Sequence, residues 1–379
     1  MADRRKIRHR SIISHNSLVA HGRDGSSVPG KEELADGVAK METKCAVELK
    51  QRELKQRSAK KGENMKKSLM VLCVLGIAWL HAVAQQIDYA SLTSNYLGQK
   101  EPGLKAELFA PGLVSIGEGV HGNIVFTPDF TEAAWHPNYK VDGKALIYIM
   151  KYRKGRWESP TEFFPKDGYN YSEPFYSYDG KKLYYLSGNI GTSGNAEKEK
   201  IFYVERQAEG WSAPKLLSSE LDAYPIHWQF SLDRNENVYF GGKSPDKQGE
   251  IYFSQYRDRR YLTPVRLPET INTGSPEFSP FIAPDSSYLV FTRMLVQKSG
   301  PPQLNLLVSF RGNSNRWTEA QNLTARIEMP VQPPVMMMGA PRITPDGRYL
   351  FFCSFNGKGH MVYWVSARII EELRPEESK

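Results

Sequence analysis

The chain has 379 residues and a formal net charge of +8, which is spread unevenly along the sequence. Residues 1–64 hold 15 Lys and Arg against 9 Asp and Glu, and Lys66 and Lys67 add two further positive charges. Residues 85–379 hold 33 basic and 33 acidic residues and are therefore neutral. A nucleic-acid binder needs a basic surface that displaces counterions from phosphate groups, so this neutral part predicts no nucleic-acid partner.

Residues 1–64 form a polar segment that mixes both signs of charge and has no sustained apolar period, a composition typical of disorder. One hypothesis is that translation begins at Met65 and that the preceding residues are an upstream extension of the gene model. The alternative is a real basic tail that precedes a membrane anchor.

Residues 65–84 have the pattern of a secretory signal peptide. Two lysines follow Met65, residues 69–80 are almost continuously apolar, and Ala82 and Ala84 supply the small residues of a cleavage site. The apolar stretch is shorter than the ~20 residues that a membrane-spanning helix needs, so cleavage is favoured over an anchor. The pattern predicts a periplasmic or cell-surface protein that contacts a membrane only through an uncleaved signal.

Cysteine is sparse, since of Cys45, Cys73 and Cys353 only the last follows the predicted signal peptide. A single cysteine cannot form an internal disulfide, so export is not used here to stabilise the fold by cross-links. Cys353 lies in an aromatic run, residues 349–355, that is typical of a strand. We interpret it as a small packed residue rather than a nucleophile.

A turn centred on aspartate recurs along the neutral part of the chain. Its aspartates are spaced by 50, 54, 52 and 61 residues, and they are Asp129, Asp179, Asp233, Asp285 and Asp346. Proline presets the backbone of such a turn, Asp accepts hydrogen bonds from its own main chain, and Gly accepts a positive φ. The third turn, with Arg234 and Asn235 after its aspartate, departs most from the pattern.

Strand patterns surround each turn. Runs rich in Tyr, Phe, Leu and Val are expected to form the strands after the turns, at residues 145–150, 182–186, 238–240, 288–292 and 348–353. Third strands are predicted at residues 200–206, 250–256, 304–310 and 360–366. Four units then share a tail with an aromatic residue, namely Trp157, Trp211, Tyr261 and Trp317, which predicts a turn into an outer strand.

Four antiparallel strands in each ~50-residue repeat predict an all-β fold, a β-propeller, because a single such sheet cannot bury both of its faces. Residues 172–185 (SEPFYSYDGKKLYY) and 340–352 (APRITPDGRYLFF) resemble the WD-like repeats of TolB-type periplasmic propellers. The resemblance covers residues from about 118 to 370 and implies a propeller fold but no particular activity. Five blades are countable, and a sixth built from N-terminal sequence stays open as an alternative.

The last unit has no aromatic tail, whereas residues 104–111 resemble an outer strand without a sheet. We therefore predict that residues 85–117 form a closing segment that completes the last blade of a propeller formed by residues 118–375. Such closure would pair edges that are otherwise open to other chains.

Candidate ligand-binding residues are those that the repeat places near the innermost strands, where polar groups converge at the mouth of a channel. They are Glu118, His121, Tyr171, Glu173, His227 and Arg342. The alternative is that these side chains only solvate the channel and bond neighbouring blades. No histidine spacing such as H-E-x-x-H predicts a metal site, so neither a metal nor a cofactor is expected.

Two functions remain open from the sequence. The favoured one is a non-catalytic module that binds an envelope protein or a glycan, because no catalytic motif such as Gly-x-Ser-x-Gly is present. The alternative is a polysaccharide lyase or glycoside hydrolase with its site in the channel and His121 or His227 as a base.

Overall fold

The computed structural model describes much of the neutral part of the chain. The described residues are 89–93, 95–116, 123–137, 146–163, 169–189, 199–221, 224, 226–244, 247–331, 337–355 and 359–378. All of them belong to one compact unit, Gln85–Lys379. Within these ranges no helix is long and apolar enough to cross a membrane.

The first two blades follow a short N-terminal strand, β1 (Glu107–Leu108). Blade one consists of β2 (Val125–Phe126), β3 (Glu132–Trp135), β4 (Tyr148–Arg153), β5 (Arg156–Trp157) and β6 (Thr161–Glu162). Its sheet runs in the order β2-β3-β4-β6, and β5 extends the end of β4 as a hairpin. Blade two consists of β7 (Tyr169–Tyr176), β8 (Lys182–Asn189), β9 (Lys200–Glu205) and β10 (Lys215–Leu216), paired in that order.

Blades three to five repeat the same order of pairing. Blade three contains β11 (Ile226–Leu232), β12 (Val238–Ser244), β13 (Lys247–Ser254), the hairpin β14 (Tyr256–Arg257) and β15 (Arg260–Tyr261), and the outer strand β16 (Val265–Arg266). Blade four contains β17 (Glu277–Ile282), β18 (Tyr288–Leu295), β19 (Gln303–Phe310) and β20 (Gln321–Asn322). Blade five contains β21 (Met338–Ile343), β22 (Tyr349–Phe355) and β23 (His360–Ser366).

Helices are few and short in the described part of the chain. Helix α1 (Arg368–Glu371) follows blade five, and the remaining helical turns are 3₁₀ segments at Tyr89–Ser91, Asn95–Gly98, Ser219–Leu221, Thr324–Arg326 and Glu376–Ser378. The predicted all-β fold of five four-stranded antiparallel blades is confirmed.

One strand prediction is wrong. In blade one the strand after the Asp129 turn is β3, and the predicted segment 145–150 overlaps β4, which is the third strand of the sheet. β3 carries Ala133 and Ala134 where the other blades carry aromatic or large aliphatic residues. Because these alanines give a weak strand pattern, the sequence pointed to the next apolar run instead.

The aspartate turns link the first two strands of each blade, and all of them contain one type of local side-chain hydrogen bond. In all five, an Asp carboxylate oxygen accepts the main-chain N–H two residues later, at 2.9–3.2 Å, from Thr131, Lys181, Asn235, Ser287 and Arg348. A hydroxyl two residues before the aspartate adds a second bond in three turns, from Thr127, Ser177 and Thr344. The carboxylate therefore replaces main-chain partners that a tight turn leaves unpaired.

The third turn is built differently. Asp233 occupies the place that Ser177 holds in blade two, and it accepts N–H bonds from both Asn235 and Asn237. Its other carboxylate oxygen accepts a 2.7 Å bond from the hydroxyl of Ser286 in blade four. The irregular sequence of this turn thus moves the aspartate inward, where it ties two blades together.

Apolar side chains fill the five spaces between neighbouring blades. Each space holds its own cluster of buried residues, for example the one around Tyr184 and Phe230 between blades two and three. The cluster between blades five and one is the most aromatic and includes Phe126, Phe351 and Trp364. Because every blade buries both faces against its neighbours, no blade can be stable without the ring.

The ring closes through β1, as predicted from the sequence. Glu107 pairs with Trp364 and Leu108 with Tyr363, which makes β1 the outer strand of blade five. The N–H of Phe109 then donates to the carbonyl of Val362 at 2.9 Å. β1, which lies within the predicted closing segment, therefore completes the last blade with sequence from the opposite end of the domain.

Phe109 is the side chain that fastens this closure. It is fully buried, and its ring lies 4.8 Å from that of Phe351 and 5.1 Å from that of Trp364, both edge to face. Tyr96 packs nearby against Trp364 and Tyr349. Edge-to-face pairs of this kind add to the free energy of burial.

We expect Phe109→Ala to lower the free energy of unfolding by about 3–5 kcal/mol, the usual effect of removing a buried phenylalanine. Leu108→Ala is the matched control, since Leu108 is the preceding residue and is exposed, so the expected change is within about 0.5 kcal/mol. Urea unfolding followed by tryptophan fluorescence measures both. Equal effects of the two substitutions would contradict closure through Phe109.

The exposed turn aspartates predict sensitivity to acid. Burial alone would raise the pKa of Asp179, but hydrogen bonds from the Ser177 hydroxyl and the Lys181 N–H outweigh burial and hold this pKa below its ordinary value. The pKa values of Asp129 and Asp285 are lowered in the same way by hydrogen bonds within their turns. The stability that these ionised groups contribute is present above the unfolded pKa of about 3.9 and is lost as the pH falls through the lower folded values.

We therefore expect a triple variant, Asp129→Asn, Asp179→Asn and Asp285→Asn, to be less stable than the wild type at pH 7. Asparagine keeps an acceptor oxygen but not the charge, so the difference should shrink as the pH falls below about 4. Thermal unfolding across this range measures it. A difference that stays constant with pH would show that the turn carboxylates do not titrate as described.

Candidate functional site

The innermost strands of three blades contain the same irregularity. Glu173, Ser279 and Ala340 have φ values of 52°, 51° and 53°, each is followed by a proline, and the strand register shifts at each of them. Residues other than glycine rarely adopt this left-handed conformation, and a bulge re-aims the side chains on either side of it. Three strained backbone positions therefore lie at one level of the central channel. Backbone strain of this kind is concentrated at functional sites.

Contacts between blades that are not neighbours close the channel at this level. The amide of Gln229 in blade three donates to the carbonyl of Pro341 in blade five at 3.2 Å, and both groups are buried. The guanidinium of Arg342 in blade five lies 5.5 Å from the centre of the Phe175 ring in blade two. These side chains span the axis of the ring, and we call them the cross-channel layer.

The cross-channel layer separates two cavities. On the side where the inner strands begin lies the wide cavity, about 220 Å³, which Glu173, Ser279 and Ala340 line together with Cys353 and residues of β18 and β19. On the side of the aspartate turns lies the narrow cavity, about 40 Å³.

The narrow cavity is lined by the residues that lie two positions after Glu173, Ser279 and Ala340 in the same three strands. Phe175, Phe281 and Arg342 lie there, with Tyr178 beside them and the turn residues at its mouth. Each strand thus contributes one residue before its proline to the wide cavity and the residue after its proline to the narrow cavity. The two cavities share no lining residue among those described.

Two charged residues lie close to the axis. Arg342 is only 4% exposed, and burial lowers its pKa to about 10, while the negative charge of Glu173 opposes this shift. Arg342 is therefore still charged at neutral pH. The same carboxylate, with burial as the larger cause, raises the pKa of the Cys353 thiol. Glu173, Arg342 and Cys353 thus share one electrostatic environment.

The structure brings Glu173 and Arg342 together at the cross-channel layer, one at each cavity. Tyr171 instead packs between blades one and two, where its ring lies 5.8 Å from that of Tyr185. His227 lies in β11, although its side chain is outside the described part of the structure, and so are Glu118 and His121.

Sequence reasoning missed Gln229, Ser279 and Ala340 as residues of the channel. A signal for two of them was present, because Ser279-Pro280 and Ala340-Pro341 repeat the Glu173-Pro174 pair at the same distance before a turn. Proline inside a strand marks an edge or a bulge, and these strands are innermost in their sheets. Repeated X-Pro pairs could therefore have located the bulges.

Metal binding has no support in the described part of the chain, where no group of three or more His, Cys, Asp or Glu side chains is close enough to hold an ion. Cys353 is also poorly suited to nucleophilic chemistry. It is buried, its pKa is raised, and its thiol donates to the side-chain oxygen of Asn123 at 3.7 Å.

Together these features define a five-bladed β-propeller whose channel is divided into two unlike cavities. No protein family matches the sequence, and no curated protein is similar enough to match it. TolB from Acinetobacter baumannii is among the similar solved structures, with 15% identity and a TM-score of 0.40 over 65% of this chain. The match spans 56% of that TolB chain.

Two other similar solved structures are enzymes. The α-L-arabinofuranosidase PaAbf62A from Podospora anserina, solved with cellotriose, has 10% identity and a TM-score of 0.42, and the match covers 70% of this chain and 98% of that one. The periplasmic gluconolactonase PpgL of Pseudomonas aeruginosa has 15% identity and a TM-score of 0.35, with 60% and 63% covered.

We expect the Cys353 thiol to be inert in the folded protein, because thiolate formation is suppressed and the sulfur is buried. Iodoacetamide at about pH 8 should label Cys353 at least about 100-fold more slowly in the native chain than in denaturing guanidinium. Peptide mapping by mass spectrometry distinguishes its label from those on Cys45 and Cys73. Rapid labelling of native Cys353 would instead indicate an accessible, activated thiol.

Proposed function

We propose that the protein is a non-catalytic binding module of the cell envelope that holds an apolar segment of a partner protein in the wide cavity. The observation that carries the proposal is the lining of this cavity. Phe278, Met294, Leu304 and Met337 supply apolar walls, and only a few polar groups, with Glu173 at the inner end, interrupt them. Ligand sites typically combine mostly apolar walls with a few placed polar groups.

The shape and chemistry of the wide cavity favour a protein ligand over a glycan. Methionine side chains adapt to different apolar partners and are common at protein-binding surfaces, and two of them line the cavity. Sugars are usually held by several hydrogen-bonding groups and a flat aromatic face. Among the described lining residues the aromatic rings are those of Phe278 and His360, and most of the other side chains are apolar. A volume of about 220 Å³ accommodates one or two apolar side chains.

The lining also argues against the alternative of a glycoside hydrolase. Glycosidic bond hydrolysis generally needs two carboxyl groups about 5–10 Å apart. Among the described residues that line the wide cavity, Glu173 supplies the one carboxylate. Binding therefore explains this arrangement with fewer assumptions than hydrolysis. Export to the envelope is supported by the signal-like residues 65–84.

We expect Met294→Glu to abolish partner capture, because it introduces a charge into the apolar wall. Leu295→Glu is the matched control, since Leu295 is the next residue of β18, is 37% exposed, and faces away from the cavity. The immobilised protein and both variants are incubated with envelope extract, and bound proteins are identified by mass spectrometry. The proposal expects a protein retained by the wild type and by Leu295→Glu, but lost with Met294→Glu.

Other outcomes would contradict the proposal. A partner retained equally by both variants binds elsewhere on the ring. Saturable binding to an oligosaccharide that Met294→Glu abolishes would assign the cavity to a glycan, and depolymerisation of a polysaccharide by the wild type would make the protein an enzyme. Near-ultraviolet circular dichroism of both variants shows that each has folded.

A further inference from the structure

The narrow cavity contains a buried positive charge whose hydrogen-bonding groups are unused. Among the described residues, neither terminal nitrogen of Arg342 has a hydrogen-bond partner, although the side chain is only 4% exposed. Glu173 is near enough to favour the charged form of Arg342, but its carboxylate does not bond these nitrogens. An ionised group taken out of water is expensive unless it is paired and hydrogen-bonded, so this guanidinium needs an anion.

A second unused donor faces the same space. The hydroxyl of Tyr178 is buried and, within the described structure, has no hydrogen-bond partner. Burial, as the largest cause, raises the pKa of Tyr178, while the nearby charge of Arg342 opposes this shift. The phenol therefore keeps its proton at neutral pH and can donate it in a hydrogen bond. Arg342 and Tyr178 both line the narrow cavity.

We infer that the narrow cavity binds a carboxylate group, with both terminal nitrogens of Arg342 and the hydroxyl of Tyr178 as donors. The cavity of about 40 Å³ has room for about three groups the size of a water molecule, which matches the three heavy atoms of a carboxylate. Its walls include Phe175 and Phe281, so the group that carries the carboxylate is small or apolar where it enters. This inference does not depend on the proposed function of the wide cavity.

A carboxylate fits this site better than other common anions. The two terminal nitrogens of a guanidinium match the two oxygens of a carboxylate in a parallel pair of hydrogen bonds. One arginine supplies a single positive charge, which balances a monoanion rather than a phosphate dianion. Chloride is a single acceptor atom, so it cannot reproduce the two parallel hydrogen bonds that the two oxygens of a carboxylate make with the guanidinium.

The inference is tested by thermal unfolding of the full chain in sodium acetate and in sodium chloride at equal ionic strength. Acetate should raise the melting temperature by about 2–3 °C at a tenfold excess over its dissociation constant. Tyr178→Phe should weaken the apparent affinity for acetate about tenfold through the lost hydrogen bond. Arg342→Met should abolish the acetate-dependent shift.

The control is Arg348→Met, which removes an exposed arginine near the same end of the ring and should keep the full acetate shift. Arg342→Met should also melt no lower than the wild type without acetate, because an unpaired buried charge is replaced by an apolar side chain. If Arg342→Met fails to fold, Arg342→Lys is used instead. It keeps the positive charge but not the paired terminal nitrogens of the guanidinium, and it should still lose most of the acetate-dependent rise in melting temperature.

Two further arms identify the source of the carboxylate. A short alanine peptide with a free C-terminus and its amidated form are compared with acetate in the same assay. If acetate and the free peptide both raise the melting temperature but the amidated peptide does not, the site is assigned to peptide C-termini. If acetate raises it and neither peptide does, the site is assigned to small free carboxylates. Equal shifts in chloride and acetate, or an acetate shift that survives in Arg342→Met, would overturn the inference.

Discussion

The pairing of β1 with β23 is the interaction on which the rest of the structure depends. Each blade has two apolar faces, and a sheet of four strands can bury both only if a neighbour covers each one. The first and last blades would otherwise present open faces and an unpaired edge. The main-chain bonds of β1 and the buried ring of Phe109 seal this gap with a segment from the N-terminal side of the domain. Closure therefore couples the stability of every blade to the opposite ends of the sequence.

Closure of the ring also brings buried polar side chains together along its central channel. Five inner strands converge so closely that side chains from blades two, three and five meet across the channel. Gln229 contacts Pro341 in this way, and Arg342 contacts Phe175. Burial at this level lowers the pKa of Arg342 and raises that of Cys353. Polar groups in such surroundings are stabilised only by specific partners. Closure of the ring thus makes a few buried donors and acceptors more selective in their hydrogen-bond partners than they would be on a surface.

Much of the fold could be predicted from the sequence because its determinants are local. The aspartate turns need only a few adjacent residues, and the outer strand at residues 104–111 was recognisable because blade five lacked one. The site was less predictable. Tyr171 and Glu173 lie two residues apart and would share one face of a regular strand, but the positive φ of Glu173 re-aims the chain, so Tyr171 packs between blades. Contacts such as Gln229 with Pro341 join residues 112 positions apart, which no local pattern reports.

The X-Pro-Z segments of the inner strands explain how one repeat can serve two cavities. In Glu173-Pro174-Phe175, Ser279-Pro280-Phe281 and Ala340-Pro341-Arg342, the first residue lines the wide cavity and the third lines the narrow cavity. The proline fixes its own φ and lacks an N–H, so the bulge does not leave a buried donor unpaired at that position. The aspartate turn a few residues later holds the end of the strand regardless of which side chains precede it. Because the backbone is set by the proline and the turn, X and Z are free to vary in chemistry, and blade five uses Z to place a charge where blades two and four place phenylalanine.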